Sequence, residues 1–509
     1  MRIFLSGPMG AGKSSVAVRV ADRLGLAALD LDQEIESAGR SIDAIFREEG
    51  EAGFRARERD ALARVLKERD DVVIALGGGT VCDEENRRGL VRSGILITLM
   101  APTDVLLARV GAGEGRPLLQ GDAAERLRRL LHARKDVYAE CHATVSSEGP
   151  LEEVAARVVD AVADPGVLVR LGRRSYVVEI GEGVRARLAD RLEGRGAALV
   201  ADTNTAQWRD AVLPSRAVSI TLPAGEENKT IETVTKIWDA ALEGGLDRKG
   251  CVVAVGGGVV GDLTGFAAAT LLRGVSFGQV PTSLLAMVDS SVGGKTGFNR
   301  SVGKNLVGAF HQPEFVLCDL DTLSTLPPRE LVAGRAEIAK AAWIDGEAAV
   351  AALEEDAAAL GAGDPRATAD AIRRSVVLKA RVVEDDEREA GRRRVLNLGH
   401  TIGHALEAMG AYRRWRHGEA VSLGLVAAAR VGRRLGDLRA EDEARLVRLL
   451  DALSLPIDLD GVLRDEAFQY LQQDKKRDGD RIHFIVPGSP GSVRVTPLSI
   501  DEIRGAFAG

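Results

Sequence analysis

Cysteine is scarce in this 509-residue chain: four copies, Cys82, Cys141, Cys251 and Cys318, lie far apart and form no CxxC pair. Such a set builds neither a disulfide framework nor a zinc ribbon, and it suits a reducing compartment. Long apolar runs are missing as well. Five glycines and Asp262 interrupt the most apolar segment, 251–272, so no membrane span is expected. The opening Met1–Gly7 has too short an apolar stretch for a signal peptide, and the cytoplasm is the expected location. Nor is there a surplus of positive charge. A net charge of −7 and a pI near 5.7 argue against a nucleic-acid binder with a broad basic face, so anion sites must be local Lys and Arg clusters inside clefts. What is present is a globular composition, 45% hydrophobic and 28% charged, at a length that favours two or three domains.

The first 163 residues alternate strand and helix, with apolar runs at 2–6, 72–76 and 95–100 reading as buried parallel strands. A helix over 151–163, apolar at Leu151, Val154, Ala155, Val158, Val159 and Val162, ends at Asp164-Pro165-Gly166. The division expected there is a domain 1–163, a linker 164–170, an α/β domain 171–328 and a mainly helical domain 329–509. Strands are expected near 176–180, 197–201, 217–221, 251–255 and 277–280, then helices such as 366–384, with one late strand at Ile482–Val486. The chain is α/β overall.

Gly7-Pro8-Met9-Gly10-Ala11-Gly12-Lys13-Ser14 fits GxxxxGK[ST] between a strand and a helix. Its backbone N–H groups can curl around phosphates, with Lys13 on the outer phosphates and Ser14 on Mg²⁺. Gly10, Gly12, Lys13, Ser14 and Ser15 are therefore the candidate ATP-binding residues. Leu29-Asp30-Leu31-Asp32, Gly53-Phe54-Arg55, Gly77-Gly78-Gly79, Arg116-Pro117-Leu118 and Arg134 ahead of Tyr138 follow in order. With these pieces the region 1–162 resembles shikimate kinases. The resemblance implies Asp30 beside Mg²⁺, Asp32 on the acceptor hydroxyl, Arg55 and Arg134 clamping the shikimate carboxylate, Gly78 and Gly79 under the ring, and Arg116 on the transferring phosphate. Read alone, Asp30/Asp32 could cap a helix, Arg134 could sit on a solvated face, and His142 has no assigned role.

Gly256-Gly257-Gly258-Val259-Val260-Gly261 reads as a pyrophosphate site at a helix N-terminus, without the acidic residue about 20 positions on that the usual dinucleotide fold carries. Histidine occurs seven times, and His400, His404 and His417 fall within eighteen residues. The i, i+4 pair His400/His404 occupies one helix face, suited to a metal or a substrate, or to plain packing. From about residue 167 the chain resembles 3-dehydroquinate synthases, through Gly256–Asp262, Pro281–Lys295, Gly303-Lys304-Asn305, Ala336–Lys340, Asn397–His404 and His417-Gly418-Glu419.

That resemblance implies NAD⁺ on Asp202, Glu226, Lys229, Gly257, Gly258, Asp262 and Asp289. A divalent metal, Zn²⁺ or Co²⁺, would sit on Glu337, His400 and His417. The heptulosonate 7-phosphate would meet Arg273, Lys295, Lys304, Asn305, Lys340, Lys379, Arg393, Asn397, His404 and Lys475 (or Lys476 beside it). Lys295, Lys340, Arg393, Asn397 and His404 are its catalytic candidates. The implied reaction is transient oxidation by NAD⁺, phosphate elimination, return of the hydride, ring opening and an internal aldol closure. Arg273 is implied to enter a neighbouring subunit's site, hence a homodimer. The expected substrates are shikimate, ATP and the heptulosonate phosphate. The rival readings are a related sugar-phosphate cyclase or a metal-dependent alcohol dehydrogenase for the second half, and a nucleotide-sensing module for the first.

Overall fold

Apolar residues follow one another without polar alternation at 3–5, 72–75 and 95–97, so these strands must be covered on both sides. The computed structural model shows how. It describes residues 1–37, 39–111, 123–301, 303–471, 477–478 and 481–507, with backbone alone for 123, 477 and 478. The chain divides into two compact units, Met1–Val177 and Val178–Gly509.

In the first unit, strands β1 (Arg2–Ser6), β2 (Ala27–Asp30), β3 (Val72–Ala75), β4 (Ile95–Met100) and β5 (Ala143–Ser146) form a sheet of order β2-β3-β1-β4-β5. All its pairs are parallel. Ile3, Leu5, Ile97 and Leu99 face the helices Lys13–Leu24 and Leu151–Ala163 through Val16, Val20, Val154 and Val158. Phe4, Ile74 and Leu96 face the other way, onto Phe54, Leu62 and Tyr138. The chain reverses direction across the sheet beside β1, so the loop after β1 opens at the strands' carboxyl ends, where α/β sheets bind ligands. The helix 151–163 ends at Ala163 as its stop signal implies, but Val167–Val169 is a strand (β6) where a linker is expected.

In the second unit β7 (Tyr176–Gly181), β8 (Ala197–Asp202), β9 (Val218–Leu222), β10 (Cys251–Gly256) and β11 (Ser276–Pro281) match the expected strands. The hairpin β12 (Lys295–Arg300) and β13 (Gly303–Phe310) precedes β14 (Phe315–Asp319). Read from β7, the main sheet has the order β7-β14-β11-β10-β8-β9. Beyond it come the helices Pro328–Asp345, Glu347–Gly361, Pro365–Asp385, His400–Met409, His417–Leu435, Ala440–Ala452 and Asp465–Leu471. The late strand is real, and it has companions: β15 (Arg477–Asp478), β16 (Arg481–Pro487) and β17 (Val493–Ser499) make a small antiparallel sheet. Trp343, wholly buried, ties this sheet to the helices by donating from Nε1 to the Gly488 carbonyl at 3.2 Å. No helix among the described residues is long and apolar enough to cross a membrane.

Candidate active sites

The first site forms at the end of β1. Gly10 and Gly12 adopt left-handed φ of 84° and 81°, and the helix that follows begins at Lys13, with Ser14 and Ser15 in its first turn. Lys13 Nζ donates to the carbonyls of Gly7 and Pro8 at 3.0 and 3.1 Å, which holds the ammonium over the loop. Asp30 ends β2 and caps the helix Leu31–Glu36, accepting from the Asp32 N–H at 3.0 Å. The capping reading of this pair is thus correct for Asp30, and the cap fixes where Asp32 stands.

Around Asp32 the structure gathers the other expected residues. A Cβ on Gly77 would lie 3.0 Å from Asp32 Oδ1 and 2.6 Å from Glu58 Oε1, and one on Gly79 would lie 2.3 Å from Arg55 Nη2. Gly78 rests against Met9 and the Gly7 carbonyl, and its own carbonyl accepts from Arg134 at 2.8 Å and Tyr138 Oη at 2.6 Å. Arg134 is therefore not on a merely solvated face. Burial, with Asp30 and Glu58 nearby, raises the Asp32 carboxyl to about 6. Glu58, which sequence reading passed over, is buried and accepts from Arg55 at 2.7 Å and Thr80 at 2.6 Å. Its spacing of three from Arg55 on one helix was the available signal. His142 accepts from the Leu96 N–H at 3.1 Å, and burial lowers it to about 4, which makes it a neutral structural residue. Arg116 lies outside the described residues.

The second site lies in the second unit, and its contacts can be followed as a ring. Helix Gly258–Thr270 starts behind β10 with Gly257 as its cap, and a Cβ on Gly258 would meet Ser290 Oγ at 3.1 Å. Next to Ser290, Asp289 accepts from Lys379 at 2.6 Å. Burial alone would raise Asp289, but Lys379 and Lys340 hold it well below the usual carboxylate range. Burial pushes the Lys379 ammonium down to about 8 against the pull of Asp289. Lys340 pairs with Glu337 one helical turn earlier.

Glu337 then faces two imidazoles, with Oε1 at 3.6 Å from His400 Nε2 and 3.8 Å from His417 Nε2. Three helices supply these residues, and glycine lets them converge. A Cβ on Gly418 would lie 1.8 Å from the Ala333 carbonyl, and one on Gly424 would lie 1.9 Å from the Gly399 carbonyl. Backbone thus meets backbone beside each imidazole. The donor atoms of Glu337, His400 and His417 lie within 4.8 Å of one another, a set suited to one divalent ion with open positions. His404 is exposed and lies outside this trio, although donor atoms of His404, Glu407 and His417 also lie within 4.8 Å of one another.

The ring closes through the hairpin. Glu407 accepts from His417 Nδ1 at 3.3 Å and faces Lys304 at 3.8 Å, and Lys304 lies 3.7 Å from Glu226. Glu226 accepts from Asn299 at 2.8 Å, and Lys229 bridges Asp262 at 2.5 Å and Asn305 at 2.6 Å. Asp202, at the end of β8, accepts from the Asn204 and Thr205 backbones at 2.9 and 3.0 Å. Lys295 and Asn397 both reach Glu389, the latter at 2.7 Å. Arg393 is buried and donates to the Gly293 carbonyl at 3.0 Å and to that of Glu387, so it braces the turn before Lys295. Arg273 is exposed on the turn after the helix Gly258–Thr270, at a strained φ of 71° next to Leu272 at 50°. Lys475 and Lys476 lie outside the described residues. Sequence reading missed Ser290, Asn299, Glu389 and Glu407; Glu407 stands seven residues from His400 on the same helix face.

Fold and site together define a phosphate-loop phosphotransferase followed by an enzyme with a dinucleotide turn and a His/His/Glu centre. The family models agree region by region: shikimate kinase over 9–163, 3-dehydroquinate synthase N-terminal over 219–333, and 3-dehydroquinate synthase C-terminal over 334–477. A 3-dehydroquinate synthase of Halorhodospira halophila (strain DSM 244 / SL1) is 46% identical over 333 residues, covering 64% of this chain and 94% of that protein. The crystal structure of 2-deoxy-scyllo-inosose synthase with carbaglucose-6-phosphate, NAD⁺ and Co²⁺ is 28% identical at a TM-score of 0.59, covering 67% of this chain and 98% of that one. Shikimate kinase from Acinetobacter baumannii, solved with shikimate, is 38% identical over 32% of this chain and 92% of that one, at a TM-score of 0.31. The chain belongs to the 3-dehydroquinate synthase family and carries a shikimate kinase ahead of that enzyme. It acts on small molecules, phosphorylating shikimate and cyclising the heptulosonate phosphate to 3-dehydroquinate.

Proposed function

We propose that each activity is performed by the residues named from the sequence, and that the observation carrying the synthase assignment is the convergence of Glu337, His400 and His417. In the kinase, residues 1–163, Lys13 and the loop amides hold the ATP phosphates, while Ser14 and Asp30 flank Mg²⁺. Arg55 and Arg134 clamp the shikimate carboxylate, a pairing for which two guanidinium forks are well shaped. Asp32 accepts the proton of the attacking hydroxyl, and Arg116 serves the transferring phosphate.

In the synthase, the glycine turn at Gly257–Gly258, where a Cβ would meet Ser283 and Ser290, receives the pyrophosphate, and Asp202, Glu226, Lys229, Asp262 and Asp289 bind the rest of the cofactor. When bound, NAD⁺ would supply a reversible hydride acceptor, and a divalent ion held by Glu337, His400 and His417 would supply the Lewis acidity that makes the substrate alcohol a better acid. Lys295, Lys304, Asn305, Lys379, Asn397 and Lys475 hold the substrate's two anionic ends, with Lys340 beside the ligand carboxylate and Arg393 bracing the Gly293 turn. His404, exposed beside the trio, moves a proton. Arg273 reaches the site of a second copy, so the enzyme works as a homodimer. Small anionic substrates, with no nucleic acid or membrane as partner, and a cytoplasmic setting fit this chemistry.

The ligand assignment has a direct test. His400→Ala should lose metal and cyclase activity together. His404→Ala should keep about one metal per chain while turnover falls by roughly 10²–10⁴, the range of a lost general acid or base. Equal metal loss in both purified variants would make His404 a ligand.

A further inference from the structure

We propose that Glu407 is a positioning residue of the synthase: it orients the His417 imidazole toward the metal and links that ligand to the lysine hairpin. The inference rests on the metal reading above. Glu407 sits in the last turn of the helix His400–Met409 and is only 6% exposed, an unusual place for a carboxylate without a partner to satisfy. It has two. Oε2 lies 3.3 Å from His417 Nδ1, and Oε1 lies 3.8 Å from Lys304 Nζ.

A carboxylate only accepts, so the proton between Glu407 and His417 belongs to Nδ1. A neutral imidazole carries one N–H, which leaves the lone pair on Nε2. That is the atom 3.8 Å from Glu337 Oε1, on the side where His400 also points. Glu407 thus sets both the tautomer and the rotation of the ring, the task of a carboxylate behind a metal-bound histidine.

The alternative is that Glu407 is itself a ligand in the set His404, Glu407 and His417. One feature opposes it. His404 is exposed, whereas Glu337 and His400 are buried. The contact with Lys304 has its own consequence: β13 carries Lys304 and Asn305, so Glu407 joins the helix that bears His400 to the hairpin that meets the substrate.

Metal affinity, measured by chelator competition with Zn²⁺, reads the proposal without relying on turnover. Glu407→Ala should bind Zn²⁺ about 10–100-fold more weakly, the cost typical of losing such a partner, yet still reach one ion per chain. Glu407→Gln, which keeps an acceptor and nearly the same shape, should fall between that variant and the parent. Co²⁺-loaded Glu407→Gln should keep the parent's visible absorption bands, because the ligands are unchanged. Parent-like affinity in Glu407→Ala would overturn the proposal, as would altered Co²⁺ bands or complete metal loss in Glu407→Gln. If the alanine variant does not fold, a glutamine variant as tight as the parent overturns it equally. Retention of metal by His400→Ala or Glu337→Gln would instead overturn the underlying ligand assignment, so the two failures are told apart.

Discussion

Asp32 shows how much a single residue owes to its surroundings. Burial raises its carboxyl to about 6, and the negative charges of Asp30 and Glu58 act in the same direction. As a base it must be ionised, so kcat/KM for shikimate should rise with pH along a limb centred near 6 and level off above it. A limb centred near the ordinary 3.8 would count against Asp32 as that base. The sign for stability is the reverse. A folded-state value above the unfolded one means that the folded chain favours the proton, and this contribution is lost as pH rises through about 6. Asp32→Asn should therefore melt higher than the parent at neutral pH, with the difference gone below about pH 4. At this scale sequence reading named residues that the structure gathers at two places, because phosphate, carboxylate and metal each demand particular side chains. It passed over Glu58, Glu389 and Glu407. These acids act on another protein residue rather than on a ligand, and only folding shows whom they face.

At the scale of elements, patterning was legible wherever burial is one-sided or complete. The helix Pro365–Asp385 buries Ile372, Val376, Ala380 and Val383 along one face, which is the spacing its sequence displays. The hairpin β12–β13 was not foreseen. Gly297, Gly303 and Gly308 stand where strands usually carry branched residues, and most of β13 is exposed, so neither propensity nor period marks it. The helix pair that brings His400 and His417 to Glu337 is decided by contact distance rather than by pattern. Gly418→Ala should force a methyl into the Ala333 carbonyl and displace His417 from Glu337. We expect a loss of about 1–3 kcal/mol in the stability of the synthase unit, as overpacking gives. Zn²⁺ affinity should fall with it, while the kinase is spared. Unchanged affinity in a chelator titration would show that the helices can separate without moving the ligands.

The whole molecule poses two questions, subunit sharing and independence of the sites. Leu272 and Arg273 both hold positive φ, a strain of roughly 1–3 kcal/mol each that the surrounding structure must over-determine. If Arg273 enters a second copy's site, mixing the inactive variants Arg273→Ala and Lys295→Ala should restore part of the cyclase activity. Heterodimers that form but recover nothing would place Arg273 in its own chain's structure. Two activities in one chain, with their candidate residues in separate compact units, also imply that either can be silenced alone. The most direct measurement is a pair of assays on purified Lys13→Ala: shikimate phosphorylation with Mg-ATP, and phosphate release from the heptulosonate phosphate with NAD⁺ and metal. The first should be abolished, because the outer phosphates lose their cation, while the second should stay near the parent's rate. A folded Lys13→Ala protein that had lost both activities, or that still phosphorylated shikimate, would contradict this expectation.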